Sequence, residues 1–258
     1  MFLLHHPLRS IGASLVGAAT LLAAACSSGT MPTSPETSSS ATASTPAPAP
    51  VPTPTPPPSP PAAATTRYRV TFEANWSAAT HPVDFPAQAH FSPLIGGTHN
   101  SSVTFWREGA LASDGIRDMA ERGLTVRLTE EVAAAIAAGT AERVVTGGGI
   151  SSGSGTVSTE FEMSQSYPFI TLVTMIAPSP DWFVGVSRLA LFENGQWVEE
   201  RRIDLVPWDA GTDSGVTFTS PDLPTAPPQP VAQIVTAPLS PGGRVTPLGT
   251  FTFTRIGT

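Results

Sequence analysis

Two loop segments place carboxylates among glycine, proline and tryptophan residues, a combination suited to binding a hard cation. They are residues 178–185, PSPDWFVG, and residues 207–215, PWDAGTDSG. Glycine and proline at this density interrupt helices, so Asp181, Asp209 and Asp213 are predicted to lie on loops. Loop carboxylates that converge at one end of a β-fold can supply the oxygen ligands that Ca²⁺ prefers. These two segments are therefore candidates for binding a hard divalent cation such as Ca²⁺.

The spacing of the aspartates decides which metal could fit. Asp209 and Asp213 lie four residues apart, and the intervening Gly211 disfavours a helix, so the loop must curl to bring both carboxylates to one centre. Ca²⁺ accepts irregular oxygen cages, whereas Mg²⁺ requires a stricter octahedron and Zn²⁺ prefers nitrogen or sulfur. The spacing does not match an EF-hand loop. The alternative is that these are ordinary turn aspartates, whose side chains hydrogen-bond nearby backbone.

Three histidines suggest an enzymatic alternative. His81, His90 and His99 recur at intervals of nine residues, and three histidines can hold a zinc ion with an open position for water. The protein would then be a metal-dependent hydrolase. The other interpretation is that these histidines hydrogen-bond loop backbone. The glycine run at residues 147–149 is not followed by the lysine and hydroxyl residue of a phosphate-binding loop, and we do not expect an enzyme.

Composition and charge exclude several kinds of partner and site. The chain has 258 residues and a net charge of −7, whereas phosphate backbones are bound by basic faces. Nucleic acid is therefore not expected as a partner. Cys26 is the single cysteine, so neither an intramolecular disulfide nor a cysteine-based zinc site can form.

The first 65 residues have the character of targeting and linker sequence. Residues 1–25 combine an early basic residue, a short apolar stretch and small residues, as in a signal peptide. The segment that ends at Cys26, LAAAC, resembles the bacterial lipobox, although Ala23 stands where leucine is commonest. Cys26 is therefore expected to carry a lipid that anchors the chain to a membrane. Residues 26–65 comprise this cysteine and a stretch rich in Ser, Thr, Pro and Ala, which is predicted not to fold and to act as an extended spacer.

Residues 66–258 carry the pattern of an antiparallel β-domain. Polar and apolar residues alternate at 67–74, which predicts a half-buried strand with Tyr68, Val70 and Phe72 inward. Residues 250–255 alternate in the same way, and first and last strands of this kind often pair in a sandwich. Residues 170–176 are almost continuously apolar, which predicts a central strand.

Three further segments complete the expected elements. Asn194-Gly195 lies between apolar runs at 186–192 and 196–205, which indicates a β-hairpin with a type I′ turn. Residues 216–218 predict another short strand.

Two helices are expected to interrupt the strands. One is predicted over Leu111 to Arg122, with Leu111, Ile116, Met119 and Ala120 roughly on one face. The other is predicted to start at Thr129 as N-cap, with two glutamates in its first turn, and to end at Gly139. The fold class expected is an all-β antiparallel sandwich with short inserted helices.

Several long motifs resemble the spondin N-terminal domain, the module shared by F-spondin and mindin in animals and found in bacterial lipoproteins. The motifs are the two acidic loops, residues 74–77 (ANWS) and residues 90–100 (HFSPLIGGTHN), and the likeness covers about residues 67–256. The resemblance implies a C2-like β-sandwich that binds a divalent cation, Ca²⁺, in loops at one end. Carried onto this chain, the metal carboxylates are Asp181, Asp209 and Asp213, with Glu162 as the counterpart of a glutamate that contributes in some relatives.

The resemblance also implies a role, since in animal relatives the domain serves extracellular adhesion and recognition. The predicted function is a non-enzymatic, Ca²⁺-dependent recognition or adhesion module on a lipid-anchored stalk. It would bind an extracytoplasmic protein or glycan and lie in the bacterial cell envelope. Ser27 and Ser28 follow the cysteine without the aspartate that retains lipoproteins at the inner membrane, which favours the outer membrane or the cell surface. A purely structural envelope protein is the remaining alternative.

Overall fold

The computed structural model of the chain describes residues 64–257, which form two antiparallel β-sheets, a short hairpin and two helices. The strands are β1 (Thr65–Asn75), β2 (His90–Phe91), β3 (Ile95–His99), β4 (Ala141–Thr146), β5 (Ser154–Ser164), β6 (Phe169–Ala177), β7 (Trp182–Ala190), β8 (Phe192–Glu193), β9 (Gln196–Trp197), β10 (Glu200–Asp204), β11 (Trp208–Asp209), β12 (Ala232–Gln233) and β13 (Gly249–Gly257). The helices are α1 (Asp114–Arg122) and α2 (Val126–Ala137).

The expectations for the N-terminal region fall outside this part of the chain. The signal peptide at residues 1–25, the lipidated Cys26 and almost all of the spacer over residues 26–65 precede the first described residue, Ala64. Within residues 64–257, neither helix has the length and apolar character needed to cross a membrane.

The two sheets confirm the predicted all-β architecture. The smaller sheet has the strand order β10-β13-β1-β5, and the larger has the order β12-β11-β7-β6-β3-β4, with β2 also paired to β6. The first and last strands pair as expected, with Val70 opposite Phe253 and Phe72 opposite Phe251. β1 is therefore a central strand of its sheet, bonded to β13 on one side and β5 on the other.

The main core lies between the facing sheets and is rich in aromatic side chains. Tyr68, Val70 and Phe72 of β1 all point inward and are buried, as the alternation predicted. The Phe72 ring packs edge-on against Phe91 and Phe251, with centroids 5.0 and 5.2 Å apart. Such edge-to-face pairs add to the stabilisation from burial alone.

β6 is buried on both of its faces, which explains its continuous apolar sequence. Leu172 and Ile176 point into the core between the sheets. Val173 and Met175 point the other way and belong to a second core that includes Ile116 of α1. The two helices thus cover the outer face of the larger sheet, and β6 alternates between the two cores.

Both helices start at positions that differ from the prediction. α1 begins at Asp114 with Ser113 as N-cap, because the Ser113 hydroxyl accepts the Ile116 N–H at 3.2 Å. Leu111 therefore precedes the helix and is exposed instead of packed. α2 begins at Val126 and not after Thr129, although it ends before Gly139 as predicted.

Glu131, expected to favour the start of its own helix, instead closes the start of the other one. Its Oε1 accepts the Gly115 N–H at 2.7 Å, and its Oε2 accepts the Ser113 hydroxyl at 2.7 Å. A methyl group on Gly115 would lie 2.8 Å from this carboxylate, so the contact requires glycine at that position. A carboxylate at a helix N-terminus is favoured by the free N–H groups and by the helix dipole.

Replacing Glu131 by alanine is expected to lower the free energy of unfolding by about 1–2 kcal/mol, because α1 loses a charged cap and two hydrogen bonds. Chemical denaturation of the two proteins measures the difference. Glu130→Ala is the matched control, since Glu130 is adjacent in α2 but exposed, with Arg127 no closer than 3.9 Å. Equal losses in the two variants would show that helix propensity, and not the cap, is responsible.

The predicted hairpin around Asn194-Gly195 is present, but its paired strands are much shorter than predicted. Both residues have the positive φ of the predicted turn, 53° and 76°, but only β8 and β9 pair across it. The run expected to follow the turn ends in β10, which joins the smaller sheet, whereas β7 belongs to the larger one. The hairpin is therefore the crossing between the two sheets.

The short strand predicted at residues 216–218 is also wrong. Ser220 Oγ accepts the N–H groups of Val216 and Thr217 at 3.1 and 3.0 Å. Because these N–H groups are hydrogen-bonded within the turn, they are not free to pair with a neighbouring strand.

Candidate cation site

Three aspartates lie at one end of the larger sheet because β7 and β11 are neighbours. Asp181 immediately precedes β7. Asp209 was predicted to lie on a loop, but it lies in the two-residue strand β11, directly opposite Trp182. The Ala210 N–H donates to the Asp181 backbone carbonyl at 3.1 Å, which ties the two segments together. Asp213 follows in the loop after β11. The two acidic segments of the sequence thus form one site.

Asp181 is the most unusual group in this site. It is 0 % exposed, yet its Oδ2 accepts the N–H groups of Thr212 and Asp213 at 2.7 and 3.1 Å and the Thr212 hydroxyl at 3.3 Å. Its Oδ1 is buried and has no hydrogen-bond partner among the described residues. Burial and the negative charge of Asp209 together raise the pKa of Asp181 to about 7, although the N–H donors oppose the shift.

The other two aspartates have distinct surroundings. Asp209 Oδ1 accepts the Gly211 N–H at 2.7 Å, and the Trp182 side chain also donates to its carboxylate. Burial raises the pKa of Asp209, and the charge of Asp213 raises it in addition. Asp213 Oδ1 accepts the Gly215 N–H at 2.7 Å.

Asp213 also joins the two sides of its own loop. Its Oδ2 accepts the Leu223 N–H at 2.8 Å, while Ser214 N–H donates to the Leu223 carbonyl at 2.9 Å. The Thr225 N–H donates to the Thr212 carbonyl at 2.8 Å and extends this pairing. In the structure Asp213 therefore closes the base of a hairpin-like loop that lies beside the other two carboxylates.

The predicted fourth ligand, Glu162, lies elsewhere. It sits on β5 opposite Arg67 and forms an ion pair with Arg143 at 2.5 Å. The acidic loops adjoin the other end of β1, where Trp76 packs through Phe218 toward Trp182. Nine residues of extended chain separate Arg67 from Trp76, which is about 30 Å. The structure therefore does not bring Glu162 to the three aspartates.

The donor set fits a hard cation through Asp181 and Asp209. No group of three or more His, Cys, Asp and Glu side chains within residues 64–257 is arranged to hold a metal ion, so other oxygens would have to complete the coordination. The buried Oδ1 of Asp181 has no donor within residues 64–257 to stabilise its charge, and an unpaired buried charge is costly. A cation beside it would remove that cost and the repulsion from Asp209.

The histidine-based zinc site is wrong. His90 lies opposite Ala177 and His99 opposite Phe169, which places them eight residues apart along β6, or roughly 26 Å. His81 contacts the Thr246 carbonyl through Nε2 at 3.2 Å.

Each histidine has a local structural partner instead. His90 Nδ1 contacts the Gln88 carbonyl at 2.8 Å. His99 is buried between the Asn100 carbonyl and the Thr171 hydroxyl, both 2.9 Å from its ring nitrogens. Burial lowers the pKa of His81 and His99, so both are neutral near pH 7.

A serine nucleophile also lacks its required setting. Residues 149–153, GISSG, have the Gly-x-Ser-x-Gly spacing of a nucleophile elbow. That elbow is a turn from a strand into a helix, whereas this segment connects the strands β4 and β5. The described residues therefore present no such elbow at this motif.

An aromatic cluster under the acidic loops was not foreseen from the sequence. The Phe218 ring lies 5.4 Å from Trp76 and 5.4 Å from Trp182, measured between centroids. Phe218 is buried although its neighbours Thr217 and Thr219 are exposed. The loop that carries Asp213 is thus anchored to the core by one side chain. The sequence feature that could have predicted this anchor is a single phenylalanine within an otherwise polar loop.

Comparison with known proteins identifies one family for this chain. The family model described as Spondin_N matches residues 66–242, which include all three aspartates. Human Spondin-2 is 39% identical over 180 residues, which are 68% of this chain and 54% of that protein. Mouse Spondin-1 is 38% identical over 215 residues, which are 76% of this chain and 26% of that protein. The chain therefore spans about half or less of these relatives, and it belongs to the spondin N-terminal domain family.

Proposed function

We propose that the protein is a non-enzymatic recognition or adhesion module that binds a divalent cation at its acidic loops. The observation that carries the metal part is the fully buried Asp181 carboxylate, whose Oδ1 has no partner and whose neighbour is a second carboxylate. Membership of the spondin N-terminal domain family supports the recognition part. The proposed partner is an extracytoplasmic protein or glycan.

Ca²⁺ is the ion that suits this donor set best. The available side-chain donors are oxygens, which favour a hard cation over zinc. They come from β11 and from the irregular segment before β7, and Ca²⁺ tolerates irregular coordination completed by carbonyl and water oxygens. Asp181 and Asp209 would supply the negative charge, and Asp213 would hold the loop in place. The bound ion would neutralise the buried carboxylates and so stabilise the loops that face a partner.

Calcium titration of the chelator-treated full chain tests this proposal. We expect binding of one ion per chain, measured by calorimetry. At 100 times the dissociation constant the ion would stabilise the fold by about 2.7 kcal/mol, which raises the melting temperature by roughly 5–10 °C.

Two variants test whether the bound ion lies at Asp181. Asp181→Asn should lose both the heat and the rise in melting temperature, because it removes the buried charge. Glu162→Gln should keep both, because that side chain lies at the other end of β1. Absence of heat and of any thermal shift in the unaltered chain would reject the cation site.

The location that we propose is the bacterial cell envelope, at the outer membrane or cell surface, with a lipid on Cys26 as anchor. The lipobox-like segment before Cys26 supports this location. Cys26→Ser is expected to move the chain from the membrane fraction to the soluble fraction, because acyl chains on that sulfur provide the proposed attachment. Fractionation followed by immunoblotting measures the shift. If the Cys26→Ser chain still sediments with membranes, the lipid anchor is wrong.

A further inference from the structure

A groove of about 370 Å³ lies between α1 and the loop that follows Asp213. Leu111 and the start of α1 line one wall, and Pro224 and Pro228 line the other. Its size is within the range of sites that receive a small ligand or a few side chains. The groove borders the candidate cation site, because Thr212 lines it and also donates to Asp181.

Exposed apolar surface marks this groove. Leu111 is 62 % exposed although the next residue, Ala112, packs against the second core, and Pro224 and Pro228 are exposed on the facing loop. A single exposed leucine is ordinary, but apolar side chains on both walls of one depression form a patch of the kind found at protein contacts.

The side chains that line the groove carry a net negative charge. Asp114, Glu121 and Asp222 line it together with one cation, Arg117. The Arg117 side chain is already engaged, since Asp114 lies 3.1 Å and Asp118 3.5 Å from its nitrogens. The lining charges therefore sum to a negative value, and they favour a cationic partner.

The N-terminus of α1 does not make the groove a site for anions. The start of α1 could attract an anion through its free N–H groups, but Glu131 already occupies that position with both carboxylate oxygens. An anionic ligand would meet this carboxylate and that of Asp114. The negative charges on the walls thus disfavour a partner segment with acidic side chains and favour one with basic side chains.

Both walls are fixed before any partner arrives. Thr225 N–H donates to the Thr212 carbonyl at 2.8 Å, and Gln229 N–H donates to the Gly211 carbonyl at 2.8 Å. Leu111 forms a backbone bridge with Pro230, which links the two walls at one end. A preformed surface loses little conformational entropy on binding.

We propose that this groove docks a segment of a partner protein that presents a lysine or arginine beside an aliphatic side chain. The aliphatic group would pack against Leu111 and the prolines, and the cation would lie near Glu121 and Asp222. The inference rests on the proposed recognition function and names its partner class, but it does not require the cation site.

Selection of a phage-displayed library of random 12-residue peptides against the full chain tests this inference. We expect the enriched peptides to carry Lys or Arg within two positions of Leu, Ile or Val. One enriched peptide, labelled with a fluorophore, is then titrated against the chain. Leu111→Ser and Asp222→Lys should each weaken its binding at least tenfold. Both positions are exposed, so the melting temperature should stay unchanged, and Glu121→Lys serves as a second charge reversal.

Matched controls lie on other exposed surfaces. Val235→Ser alters an exposed apolar residue outside the groove, and Glu108→Lys reverses an exposed charge that lines a different depression. Both should bind the peptide as the unaltered chain does.

Several outcomes would overturn the inference. Enriched peptides without basic residues, or binding that Leu111→Ser and Asp222→Lys leave intact, would exclude the groove while leaving a recognition role elsewhere. A dimer in sedimentation that Leu111→Ser dissociates would assign the groove to a second copy of the chain. Flotation with phosphatidylcholine vesicles that Leu111→Ser abolishes would assign it to a membrane. Calcium titration of the same chain reports on the cation site independently.

Discussion

In the presence of a chelator, the free energy of unfolding is expected to fall by about 3 kcal/mol between pH 4 and pH 7 through Asp181 alone. The folded state holds the Asp181 proton with a pKa of about 7, whereas the ordinary value is 3.8. Over this window the folded chain therefore binds more protons than the unfolded chain, so stability is full below the ordinary pKa and declines as the pH rises to the folded one. Denaturant titrations at several pH values measure the slope.

Asp181→Asn isolates this contribution. An asparagine keeps an oxygen for the Thr212 and Asp213 N–H groups and carries no charge at any pH. In chelator at pH 7 the variant is therefore expected to be more stable than the unaltered chain, with most of the difference gone at pH 4. Asp84→Asn, in an exposed turn, is the control and should change nothing. Parallel stability curves for Asp181→Asn and the unaltered chain would contradict the buried-carboxylate argument.

Phe218→Ala is expected to cost about 3–4 kcal/mol of unfolding free energy, because a buried phenylalanine is replaced by a cavity between two tryptophans. The variant should also weaken Ca²⁺ binding, since the ring anchors the loop that carries Asp213. Thermal unfolding and calcium calorimetry measure the two effects.

Val216→Ala provides the comparison on the same turn. Val216 is 73 % exposed, so its truncation should leave both stability and Ca²⁺ binding nearly unchanged. A stability loss in Phe218→Ala without any loss of Ca²⁺ affinity would show that the ring supports the core but not the site.

The strands that face a core were predictable because successive side chains of a strand point to opposite faces of its sheet. Alternation at Tyr68, Val70 and Phe72 defines one buried face, and the apolar run from Ile170 to Ile176 fits a strand covered on both faces. The helix starts were less predictable because they depend on side chains from distant positions. Glu131 was assigned to its own helix, but its partners lie on α1.

The site was predictable in its residue types and only partly in its geometry. The sequence identified Asp181 and Asp209 in separate segments, and the pairing of β7 with β11 brings them together. The loop predicted for Asp209 is wrong, because that residue is part of β11. It did not predict that Thr212 would hold Asp181, because the relevant donor is a backbone N–H whose direction depends on the tertiary fold. Glu162 was assigned by resemblance, and its position on β5 is set by strand register. The sequence alone does not determine that register.

The central position of β1 has a mechanical consequence. The strand begins at Thr65 and ends beneath the acidic loops. Tension between a tether and an adhered partner would run along the strand axis. Because β1 is bonded to β13 and β5 along its length, and ladder bonds lie across the strands, the pull would load both ladders in shear, with many bonds resisting together. If the protein is anchored and adheres as proposed above, this strand order would let it resist the pull of a flowing medium.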